Sequence, residues 1–285
     1  MTGEDPLRRV LRELGRALRA CRPYIPRVIV IGGIVPVLYR HHEWFGASRV
    51  PALTTTEGDL AVPTKLEILD GQTVLGLLDS AGFVIYEVPG FENQPGTQRI
   101  QDREAGAKKP APTYLEFLAP MFGKPEPALV ELQPGLRAQR LRHLDLLAHE
   151  TLSIDARRVP DLGIEEALEV RIPNPATYQL QKVLARKERV PAKRPKDMAY
   201  AFDVAMLSRP IWGTLAGVLQ RAGESDPSWK ASVAKARERI RTLFENEHSE
   251  GVVEAALVYR DFCGDAAPSE RTIHEVMRRF IDQLG

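Results

Sequence analysis

A run of β-branched residues, Val28-Ile29-Val30-Ile31, passes without a break into Gly32-Gly33, and the stretch that follows, Ile34 to His42, carries a proline at position 36. No other stretch restricts the fold as much. Four β-formers in a row read as a short buried strand. Two glycines then permit a sharp turn with bare backbone N–H groups. Proline is tolerated in the first turn of a helix, where its missing N–H costs nothing, so Pro36 places a helix start just past the glycines. The order strand, glycine turn, helix is the expected opening of a layered α/β structure, and the turn's N–H groups form a natural anion site.

The remaining elements follow from periodicity and punctuation. Leu7, Val10, Leu11, Leu14 and Leu18 recur at helical spacing, and Asp5-Pro6 caps them, which predicts a helix over 5–21. Strands are expected at 59–62, 83–88 and 114–118, with a shorter one near 98–101 inside a loop-like stretch over 89–112. Residues 43–56 read as a loop and 72–81 as a helix; 151–158 and 167–172 read as two further strands that pair. From Pro175 onward the pattern is helical: 175–187, 196–208, 211–222, 228–246, 250–262 and 269–283, separated by Pro210, Asp226-Pro227 and Ala267-Pro268-Ser269. The expected fold is α+β, a small mixed sheet with helices followed by a C-terminal helical region, with domains at 1–174 and 175–285.

Composition narrows the class. There are 285 residues, with 39 Lys+Arg against 38 Asp+Glu, so a chain that coats nucleic acid over its whole surface is excluded while a local basic patch is not. No apolar run approaches the roughly 20 residues that span a bilayer, and the charged N-terminal stretch lacks the apolar core of a secretory signal. The 2 cysteines, Cys21 and Cys263, build neither a disulfide framework nor a zinc site, and a reducing cytoplasm is the expected compartment. The histidines show no metal-ligand spacing, and neither a P-loop nor a Gly-x-Ser-x-Gly motif is present.

The chemistry concentrates in three carboxylates. Residues i and i+2 of a strand share a face, so Glu57 and Asp59 project together. Glu116, between Leu115 and Phe117, faces away from its apolar neighbours. If the strand of Glu116 lies beside that of Asp59, three carboxylates meet near the Gly32-Gly33 turn. Such a cluster is expensive unless a cation sits among them. Oxygen ligands with a phosphate-bearing substrate suit Mg²⁺. Taken singly, each piece also reads as an ordinary tight turn or a solvated strand rim.

The strings VIGGIVPVLY, TTTEGDLAV, GFVIYEV and YLEFLAP together resemble the minimal nucleotidyltransferase fold, and more narrowly the AbiEii/AbiGii type that includes toxins of toxin–antitoxin systems. The resemblance covers roughly 27–120 well and 165–207 moderately. It implies an NTP substrate and Mg²⁺ held by Glu57, Asp59 and Glu116, which are also the catalytic residues, with Gly32 and Gly33 cradling the phosphates. It implies transfer of NMP to a hydroxyl acceptor, with the tRNA 3′ end and a cognate antitoxin as the macromolecules concerned. The family has Asp where this chain has Glu57 and Glu116, which keeps the charge and lengthens each arm by one methylene. That departure raises the alternative of a nucleotidyltransferase-fold protein that binds nucleotide or a partner with little or no turnover.

A basic segment follows. Lys182, Arg186, Lys187, Arg189, Lys193, Arg194 and Lys196 face only Glu188 before Asp197. The resemblance places Lys182, Arg186, Lys187 and Lys196 near the nucleotide phosphates; the plainer reading is a solvated helix end and loop. Asp197 is either a helix cap or a site residue, and Asp203 is a further polar residue expected on the cleft side.

Overall fold

The structure, a computed structural model, describes residues 5–48, 50–89, 96–105, 113–122 and 128–285. The parts of the expected loops that fall at 49, 90–95 and 106–112 lie outside the described residues. The chain forms two compact units. The first comprises Met1–Val35, Thr54–Asp145 and Thr151–Ile172, and the second Pro36–Leu53, Leu146–Glu150 and Pro173–Gly285. Pro36–Leu53 and Leu146–Glu150 thus group with the C-terminal helices.

In the first unit, helix α1 (Pro6–Ala20) is capped by Asp5, whose side chain accepts from the Leu7 N–H. Strands β1 (Ile29–Ile31), β2 (Glu57–Ala61), β3 (Phe83–Val88), β4 (Thr97–Asp102) and β5 (Tyr114–Pro120) lie in the order β1-β2-β5-β4-β3. β2 and β5 run parallel, and the other pairings along this order are antiparallel. The sheet is extended by a hairpin, β6 (Leu129–Gln133) and β7 (Leu136–Leu141), whose second strand runs parallel to the end of β5. This hairpin is not among the expected strands, although Pro134-Gly135 is a general turn signal. β8 (Leu152–Asp155) and β9 (Glu169–Ile172) pair as a separate antiparallel ribbon, as expected.

One face of the sheet is apolar. Leu60, Leu115, Phe117 and Ile100 line it together with Ala17 and Leu18 of α1 and with Val74 and Leu78 of helix α3 (Val74–Ser80). α1 approaches closely at Gly58, where a side chain would collide with Leu115 at 2.5 Å and meet Val10 at 3.8 Å. The period of two along each strand then sends Glu57, Asp59 and Glu116 to the opposite face.

In the second unit, α2 spans only Val35–Tyr39, with Val35 still in the first unit, so the helix after the glycines is shorter than its sequence suggests. The helices α4 (Pro175–Ala185), α5 (Arg194–Leu207), α6 (Trp212–Ser225), α7 (Pro227–Leu243), α8 (Glu250–Cys263) and α9 (Glu270–Leu284) match the expected set within a few residues. α5 is the centre, packed on α4, α8 and α9. Among the described residues no helix is long and apolar enough to cross a membrane.

Asp203 lies in α5 with its side chain wholly buried, and Arg40 donates to both of its oxygens at 2.6 and 2.8 Å. Burial pushes the Asp203 carboxyl up from 3.8 to about 6, against the pull of Arg40. A carboxyl raised in the folded state holds an extra proton there between the two values. Its contribution to stability is therefore greatest below about pH 4 and is lost as pH rises toward 6, by up to about 2–3 kcal/mol. Urea denaturation at pH 4.5 and 7 should show wild type losing stability relative to Asp203→Asn across that interval. A constant gap between the two proteins would mean that Asp203 titrates normally.

Candidate active site

The polar face of the sheet is built around β2 and β5. Their parallel register sets Asp59 opposite Glu116 and Glu57 opposite Tyr114. Paired residues share a face, so these four side chains form one cluster of neighbours. Asp59 is only 9% exposed. The N–H of Glu57 donates to the Thr55 hydroxyl at 3.3 Å, which fixes the entry to β2 from the threonine turn.

Gly32 closes the site from the side of β1. Its φ is +74°, a region that side chains avoid, and a Cβ there would fall 1.9 Å from the Asp59 Oδ2. The glycine is thus required twice, by backbone conformation and by the carboxylate against it. Gly32–Ile34 forms a single 3-10 turn, and Ile31, the residue before it, pairs with Asp59. The glycine turn and the central carboxylate are therefore one local assembly.

Two residues to which the sequence reading gave no site role complete the cluster. The Tyr114 hydroxyl donates to Glu57 Oε1 at 2.6 Å. The Arg99 guanidinium lies 4.0 Å from the Tyr114 ring centre, with its Nε 3.5 Å from Glu116 Oε1. Burial, and then Glu57, push the Tyr114 phenol far above its ordinary range, so it stays a proton donor. Glu57 and Glu116 are each held by a neighbour. Among the described residues no group of three His, Cys, Asp or Glu side chains forms a ready metal site. The donor set itself, three carboxylates on one face with only oxygen to offer, fits a hard cation such as Mg²⁺ in kind.

The cations of the basic segment that the resemblance assigns to phosphates lie in the helical unit. Lys182 is 4% exposed and pairs with Asp197 Oδ1 at 2.8 Å, above the Tyr178 and Tyr200 rings. Arg189 reaches the other Asp197 oxygen at 3.1 Å. Lys182 and Arg189 hold the Asp197 carboxyl below its ordinary range despite burial. Asp197 is thus an internal residue of α5 rather than its cap. Arg186 bridges Glu250 and Glu254 at 2.6 and 2.7 Å. Lys187 is exposed, and Lys196 lies 5.7 Å from the Tyr200 ring centre.

A sheet with a glycine turn beside one strand and carboxylates on the next two is the arrangement of a nucleotidyl-transferring fold. A nucleotidyltransferase family model matches residues 9–222, most of the chain, and the chain belongs to that family. The match leaves the AbiEii/AbiGii toxin type as a proposal. No curated protein matches the chain.

Two outcomes follow. Gly32→Ala should cost about 1–3 kcal/mol of stability from backbone strain alone and displace the Asp59 carboxylate as well. A variant as stable as wild type would show that the turn relaxes. Asp197→Ala should cost about 3–5 kcal/mol in urea denaturation, because it strands the Lys182 ammonium in the helical core. Adding Lys182→Met should recover much of that loss. A loss under about 1 kcal/mol would mean that the ammonium finds water.

Proposed function

We propose that the chain transfers a nucleotidyl group, NMP, from a nucleoside triphosphate to a hydroxyl acceptor with release of pyrophosphate. The register that sets Asp59 beside Glu116, with Glu57 on the same face and Gly32 against Asp59, carries this reading. Glu57, Asp59 and Glu116 are the residues that would hold Mg²⁺, which when bound supplies charge neutralisation at the transferring phosphoryl group. The backbone N–H groups of the Gly32-Gly33 turn would receive phosphate oxygens. Asp59, packed against the turn and nearly buried, orients the site. Glu116 accepts the proton of the attacking hydroxyl once its pairing with Arg99 opens.

The acceptor in this proposal is RNA, with the tRNA 3′ end as the target and a cognate antitoxin as the protein partner. The resemblance to the toxin type supports it, and so do the exposed Lys187 and Lys193 beside half-exposed Arg189. A second reading, nucleotide or partner binding without turnover, is favoured by one observation: Glu57 and Glu116 are each engaged by a neighbouring side chain.

Incubation with labelled NTPs, Mg²⁺ and total RNA separates the two. Under the first reading, label enters RNA, and Asp59→Ala reduces transfer by about 100-fold or more while the circular dichroism spectrum is unchanged. Full transfer by Asp59→Ala ends the catalytic assignment. Saturable NTP binding with no transfer to any acceptor favours the second reading.

A further inference from the structure

We propose that Arg99 is the built-in counter-cation of the carboxylate face in the metal-free protein, and that it competes with the divalent cation for Glu116. This rests on the reading of the face as a metal-assisted nucleotidyl-transfer site.

The topology places Arg99 where such a charge is needed. β4 runs antiparallel to β5 with Ile100 opposite Leu115, so Arg99 falls opposite Glu116 and on its face. Asp59 stands on the other side of Glu116. Two carboxylates side by side on adjacent strands repel, and water screens them little where Asp59 is 9% exposed. The guanidinium offsets this charge directly at Glu116, 3.5 Å away, and lies 4.0 Å from the ring of the tyrosine whose hydroxyl holds Glu57. A planar, weakly hydrated cation suits a position that needs ring stacking and ion pairing together.

The geometry also distinguishes this pair from the structural ones. Arg40–Asp203 and Arg186–Glu254 close to 2.6 and 2.7 Å. Arg99–Glu116 is looser at 3.5 Å, and its side chains are 27% and 15% exposed. A pair this long, whose Arg99 Nε is buried without a hydrogen bond among the described residues, is worth about 0.5–1 kcal/mol, weak enough for a divalent cation to displace. Arg99 is thus a positioning residue, acting through Glu116.

Thermal unfolding of the full chain tests it, first after chelation and then with MgCl₂ as the only addition. In metal-free protein, Arg99→Gln should lower Tm by about 1–2 °C, and this loss should shrink by more than half in a Glu116→Gln background. In the titration, the Mg²⁺ concentration that produces a given rise in Tm should fall about three-fold in Arg99→Gln, as removal of a competitor worth that energy requires. Arg99→Lys keeps the charge but not the planar stack on Tyr114, and should fall between wild type and Arg99→Gln. Additive effects of Arg99→Gln and Glu116→Gln overturn the pairing. An unchanged Mg²⁺ requirement in Arg99→Gln overturns the competition. If wild-type melting ignores Mg²⁺ while the Arg99–Glu116 coupling stands, the metal reading of the site fails and the competition fails with it, whereas the counter-cation pairing survives.

Discussion

The parallel pairing of β2 with β5 is the constraint on which the site depends. It sets two anionic side chains, Asp59 and Glu116, beside one another on a surface that is only partly open to water. Like charges so placed oppose the pairing. What holds the register is on the other face, where Leu60, Leu115 and Phe117 pack with α1. A slip of one residue would turn those side chains out and press the carboxylates into the apolar layer, at a cost far above the repulsion it would relieve. Hydrophobic burial thus positions the polar chemistry, and Gly58, which lets α1 come close, belongs to the site as much as Gly32 does.

Much of this was legible in the sequence because it is local. The β-branched run before the glycines, the i, i+2 spacing of Glu57 and Asp59, the isolated Glu116 and the capped amphipathic helices are all patterns within a short window. What escaped depends on partners distant in the chain or beyond a loop. Arg99 and Tyr114 join the cluster only because β4 and β5 are neighbours in the sheet, an order that no local pattern states. The hairpin of β6 and β7 is marked only by the turn signal Pro134-Gly135, and the alternation on either side of it is weak. In the basic segment, a count of adjacent charges shows a positive patch. The opposing carboxylates on Arg186, Glu250 and Glu254, come from a helix more than sixty residues away.

The two glutamates acquire a physical meaning from their neighbours. An added methylene lets a carboxylate reach sideways, and Glu57 is met by the Tyr114 hydroxyl and Glu116 by Arg99. Both contacts keep the negative charges apart on a face where Asp59, with the shorter arm, is pinned against the Gly32 backbone. The division is consistent: the rigid carboxylate is the one against the turn, and the two adaptable ones flank it.

The chain leaves the sheet unit directly after this turn. Val35 is the last residue of that stretch, and from Pro36 the chain belongs to the helical unit until Leu53, before Thr54 re-enters the sheet unit ahead of β2. The excursion is anchored by bonds within the helical unit: the Tyr39 hydroxyl donates to the Pro173 carbonyl at 2.7 Å, Arg40 holds Asp203, and the Gly46 N–H donates to the Leu207 carbonyl at 2.9 Å. This explains why the gap between Gly33 and Glu57 is long. It is not slack in a loop but a segment with its own packing and buried ion pair. The glycine turn and the threonine turn that leads into β2 therefore bracket this excursion: the chain leaves the sheet unit just after the first and re-enters it at the second.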